Sequence, residues 1–167
     1  MNLVASTLNP DLVELGAFAG FQLNLALNRL NAQGFVLIAL GTTMTASWWS
    51  GFRFMTHVLQ TDDPNYIETM AMNWLMSDHK KSRFVGIVMD GAMKIEGNTT
   101  AALIVRARTP DYSAGLVAYQ PYMRATEDTP SRLLQPIVDF PAELDVPPYG
   151  RDLVRERLLQ AMFGKPS

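Results

Sequence analysis

The chain has two histidines, His57 and His79, the side chains most readily recruited for acid–base or metal chemistry near neutral pH. Neither sits among acids or at the spacing from a second histidine that a metal centre or a catalytic base requires. His57 alternates with Arg53 and Met55 in a strand-like segment, where a hydrogen-bonded or solvent-facing ring is expected. His79 precedes Lys80 and Lys81 and reads as charge at a helix carboxyl end. Asp90 is the more informative acid, because it stands beside Gly91 inside an apolar run, where a bulge would turn its carboxylate into a cavity and raise its pKa. If the chain is an enzyme on a small organic molecule, Asp90 or His57 is the base and Arg106 the clamp for an anionic group. Arg106 and Arg108 form, with Tyr119, a candidate carboxylate-binding patch, since the guanidinium fork matches a carboxylate in two places; the plainer reading is a solvated sheet face.

Other chemistries fall away. The acid pairs Asp62-Asp63 and Glu127-Asp128 are adjacent rather than spaced along one face, so no metal site is expected. No glycine-rich phosphate loop, nucleophile elbow or paired-histidine motif occurs, and no cofactor is expected. The absence of cysteine excludes disulfides, zinc–thiolate sites and thiol nucleophiles. What remains is apolar: Trp48, Trp49, Phe52 and Phe54 crowd a segment of poor periodicity, and the methionines Met72 and Met76 lie off the main stripe of their helix. Such residues fill cores, and they also make adaptable interfaces, so these six are the candidate contact surface.

The elements that must carry these residues follow from pattern. Asn9-Pro10-Asp11 starts a helix whose apolar positions Leu15, Phe18, Ala19, Leu23, Ala26, Leu27 and Leu30 continue to about Asn31, with Gly34 as its stop. Phe35–Leu40 reads as a buried strand ending at Gly41, and Phe52–Leu59 as a further strand. Asp62-Asp63-Pro64 caps a middle helix running to about Asp78, with Ile67, Met70, Ala71, Trp74 and Leu75 as its apolar stripe. Phe84–Ile95, Thr100–Arg108 and Gly115–Tyr122 form an antiparallel meander, the first run bulged at Asp90-Gly91. Alternation places Leu103, Val105 and Ala107 on one face and Ile104, Arg106 and Arg108 on the other. Five of the ten prolines fall between Pro130 and Pro148, an extended strap with a short edge strand near Leu133–Phe140, before a last helix over Arg151–Phe163. The expected class is α+β: an antiparallel sheet with a three-stranded meander at about 84–122, packed against an N-terminal, a middle and a C-terminal helix.

A length of 167 residues at 48% hydrophobic content suits one domain. Charged residues at 18% fall below the ~25% usual for globular chains, which favours a homo-oligomer, a dimer first. The net charge of −2 offers no field for a phosphate backbone or an anionic membrane, so neither nucleic acid nor membrane is an expected partner. No Lys or Arg precedes Arg29, and Pro10, Asp11 and Glu14 break any signal-peptide run, so a cytoplasmic location is expected. Ile87–Arg108 followed by Tyr119-Gln120-Pro121-Tyr122 resembles small bacterial proteins of unassigned function in which a helix precedes an antiparallel meander, a likeness that implies no activity. The functional expectation is a homo-oligomeric ligand-binding or accessory protein. The alternatives are the enzyme described above and a partner-binding protein of the antitoxin or immunity kind.

Overall fold

The structure, a computed structural model, describes residues 10–33, 35, 37–47, 51–79, 81–109, 112–124, 127–128, 132–141 and 146–164. Trp48, Trp49, Asn9, Gly34 and Lys80, to which the sequence assigned roles, lie outside them. Helices α1 (Pro10–Ala32), α2 (Ile67–Met76) and α3 (Pro148–Phe163) accompany strands β1 (Ile38–Ser47), β2 (Gly51–Gln60), β3 (Phe84–Ile95), β4 (Asn98–Thr109), β5 (Tyr112–Met123), β6 (Arg132–Leu133) and β7 (Ile137–Asp139). The strands form one antiparallel sheet in the order β2-β1-β3-β4-β5, with β6 and β7 both on β5. The expected α+β class and all three helices are present, and the meander is its β3-β4-β5 portion.

Alternation decides what each face buries. Leu40, Met44, Phe84, Val88, Leu103, Val105, Ala107, Leu116 and Ala118 point to one side, where α1 lies with Leu15, Phe18, Ala19 and Leu23 against them. On the reverse side Ala39, Val85, Ile87 and Met89 receive Ala71 and Leu75 of α2. Helix α3 packs on α1 rather than beside it. Gly16 and Gly20 make this approach: a β-carbon at Gly16 would stand 2.7 Å from the Val154 carbonyl oxygen, and one at Gly20 within contact of the Leu158 carbonyl. Two helix backbones therefore touch, and Val154, Leu158 and Met162 are buried there.

Two strand expectations are corrected. β1 does not end at Gly41 but begins at Ile38 and runs through that glycine to Ser47. Gly41 is there for packing: the indole of Trp74 from α2 lies where its β-carbon would be, 2.7 Å away. Nor is β3 bulged at Asp90-Gly91, because its pairing with β4 is continuous from Val85 to Ile95. The irregularity falls across β4 and β5, between Ala107 and Thr109, where Gly115 takes φ 57° against the Ala107 carbonyl. The proline-rich strap follows β5: the Leu134 amide donates to the Pro121 carbonyl (2.9 Å), and the buried Gln120 amide donates to the Leu134 carbonyl (2.7 Å). Among the described residues no helix is long and apolar enough to cross a membrane.

Alanine in place of a strand glycine ordinarily gains about 0.5–1 kcal/mol. Gly41→Ala is expected to reverse that sign and lose about 1–3 kcal/mol by overpacking against Trp74, with part recovered when Trp74→Phe is added; equilibrium urea unfolding of the single and double variants measures both.

Candidate functional site

Helix α1 crosses β3, β4 and β5, and among the described residues no helix covers β2 and the outer part of β1 on that face. A cleft opens along this boundary. Its floor is Met44 and Phe84, its helix wall Phe18 and Phe21, and its outer wall Phe52 and Phe54 of β2, enclosing about 160 Å³. The Phe54 ring lies 4.4 Å from that of Phe21 and 6.5 Å from that of Phe18, and Phe18 lies 5.6 Å from Phe84, so the lining is one aromatic array. Two ion pairs stand at the rim: Arg83 Nη2 to Asp11 Oδ1 and Arg157 Nη2 to Glu14 Oε1, each 3.2 Å. The Arg83 guanidinium also rests over the Phe84 ring at 5.2 Å, which fixes it beside the mouth. A wider groove follows α3, but Asp152, Arg155, Glu156, Leu159, Gln160 and Phe163 all belong to that one helix, so it has no opposite wall.

The sequence candidates are placed as follows. Phe52 and Phe54 line the cleft. Met72 and Met76 lie on α2 across the sheet, Met72 against the second core and Met76 exposed, so the four described members of the proposed contact surface do not form one patch. Asp90 lies on the α1 side of the sheet. Its carboxylate accepts a hydrogen bond from the Tyr122 hydroxyl (2.6 Å) and one from Arg124 Nη2 (3.3 Å), and the Arg124 guanidinium covers the Tyr122 ring at 5.4 Å. His57, Arg106, Arg108 and Tyr119 are on the reverse side. His57 and Arg106 share a cross-strand row through Gly41 and Ile87, three strand spacings or about 14 Å apart, with Trp74 between them. Arg108 is committed to the end of α2, donating to the carbonyls of Leu75 (2.9 Å) and Ser77 (3.1 Å). Arg106 is half-buried, opposite Val117 on β5 and diagonal to Tyr119, and its buried Nε has no partner among the described residues. The sheet thus separates Asp90 from Arg106, and Trp74 stands between His57 and Arg106.

Sequence reasoning missed most of the cleft. The sequence pattern assigns Phe18 to the core alone, and it marks none of Glu14, Ala17, Phe21, Arg83 and Phe84 as site residues. The available signal was the pair Phe18 and Phe21, three positions apart on a helix that already had a core stripe. Among the described residues no group of three or more His, Asp or Glu side chains is arranged to hold a metal ion. Compared with protein families, with curated proteins and with solved structures, the chain matches none.

Tyr122 is buried, and its phenol is pushed well above the ordinary value of 10.0, first by burial and then by the hydrogen bond and charge of Asp90, with Arg124 opposing. A folded-state value raised above the unfolded one stabilises the protein below about pH 10 and is lost as pH rises beyond it. Tyr122→Phe is therefore expected to lose about 1–2 kcal/mol at neutral pH, by removing the 2.6 Å hydrogen bond to Asp90 and leaving it the 3.3 Å contact of Arg124, and the gap should close between about pH 10 and 11.5. Urea unfolding of both proteins across that range measures it.

Proposed function

We propose that this chain binds a small ligand with one apolar ring or branched chain and an anionic end, held in the cleft between α1 and β2. The observation that carries the reading is convergence: six large apolar side chains from α1, β1, β2 and β3 meet around a space with an arginine at its mouth. A cavity of about 150 Å³ lined by apolar groups holds a benzene-sized molecule, and the space here is of that size, about 160 Å³. Arg83 is suited to the anionic end because its present partner holds it weakly. Both Arg83 and Asp11 are about two-fifths exposed, and such a pair contributes about 0–1 kcal/mol, so a ligand carboxylate can take the place of Asp11. The walls supply affinity and the arginine supplies orientation, which is the usual division of labour in a small-molecule site.

Phenylacetate is a suitable probe. A ligand of about ten heavy atoms at about 0.4 kcal/mol per atom binds with a Kd near 1 mM, within reach of ligand-observed NMR. Arg83→Gln is expected to weaken phenylacetate about three- to tenfold while leaving benzyl alcohol unchanged, and Phe21→Ala to weaken both. Absence of binding by either probe at about 10 mM, or binding indifferent to Phe21→Ala, overturns the reading.

A further inference from the structure

The two edges of the sheet are finished differently. At the β5 edge the chain lays β6 and β7, two and three residues long, with Pro136 between them and Pro141 just beyond. Short, proline-flanked strands are a common way to stop a sheet from recruiting another chain. At the other edge β2 has ten residues, paired with β1 without a break, and contains neither proline nor lysine. Among the described residues no strand takes its outer hydrogen-bonding edge. Four large apolar side chains are exposed along it: Phe52 at 63%, Phe54 at 41%, Met55 at 53% and Val58 at 52%.

We propose that β2 pairs antiparallel with β2 of a second copy of this chain, about a two-fold axis at Thr56 perpendicular to the sheet. Such an axis keeps each face of the sheet on the same side in both copies, so paired residue numbers must add to an even total. Two registers use nine of the ten residues of β2. Centring on Met55 sets Arg53 opposite His57 of the partner subunit, two basic groups in contact. Centring on Thr56 sets Phe54 against Val58 of the partner subunit, Arg53 against Leu59 of the partner subunit and Thr56 against its own copy, a favourable threonine pair. Since Met44 is the inner neighbour of Phe54 and Leu40 that of Val58, this register makes an unbroken apolar row across both copies.

The area agrees with a second copy as the occupant. With about 200 Å² for a whole phenylalanine side chain, Phe52 and Phe54 leave about 200 Å² open, and Met55 and Val58 add about 100 Å². One side of a standard interface carries about 450 Å² of apolar surface. The aliphatic stems of the exposed Arg53 and Gln60 add to that surface.

The cysteine-free chain allows a direct test that leaves the cleft lining untouched. Native mass spectrometry and light scattering at about 50 μM should report a dimer, and Val58→Lys should raise its dissociation constant at least about tenfold. Under mild oxidation Thr56→Cys should cross-link with itself. Met55→Cys and His57→Cys should cross-link when mixed but not singly, because like positions then lie about 8 Å apart, beyond disulfide reach. A monomer at that concentration overturns the proposal, as does a dimer that ignores Val58→Lys and in which Thr56→Cys stays unlinked. Loss of phenylacetate binding would leave these outcomes unchanged.

Discussion

Everything in this fold depends on α1 being buried on two sides, one by the sheet and one by α3. Leu15, Ala19, Leu23 and Ala26 have no exposed surface, and the Gly16–Gly20 side of the helix is covered by α3. A helix is about 10 Å across and strands are about 4.8 Å apart, so one helix shields two or three strands. Five strands in sequence span about 19 Å. Had α3 packed beside α1, it would have extended the cover to β1 and β2. Because the two glycines draw it onto α1 instead, no helix among the described residues covers those strands on that face, and the cleft opens there.

The buried polar groups divide into those the fold uses and those it tolerates. Asp90, Tyr122 and Arg124 satisfy one another, and Gln120 ties the strap to β5. Gln22, in contrast, lies fully buried over Gly86 with neither amide atom bonded among the described residues. A β-carbon at Gly86 would collide with that amide, so the glycine and the glutamine are matched in shape rather than in hydrogen bonding.

Local patterns made the helices and the meander legible. Asp63 does cap the turn before α2, accepting from the Asn65 amide at 2.9 Å, and the faces assigned to Leu103, Val105 and Ala107 against Ile104, Arg106 and Arg108 are those observed. What failed were the inferences that depend on a contact with a distant segment. Gly41 looked like a strand end because its reason for being glycine is an indole more than thirty positions away. Asp90-Gly91 has the composition of a bulge, yet the irregularity sits between Ala107 and Thr109, across from Gly115. The same limit hid the cleft, whose walls come from segments that are distant in the chain and separately resemble core.

The glycine contact between α1 and α3 also sets an order on biosynthesis. α3 begins more than a hundred residues after α1 ends, and at about 5–20 residues per second that interval is roughly ten seconds. Throughout it the emerging polypeptide must hold the small-residue side of α1 without its cover, while the sheet beneath is still gaining strands. α3 therefore closes over α1 only after the strands between them have been made, and a ribosome stalled before it would leave an apolar seam exposed.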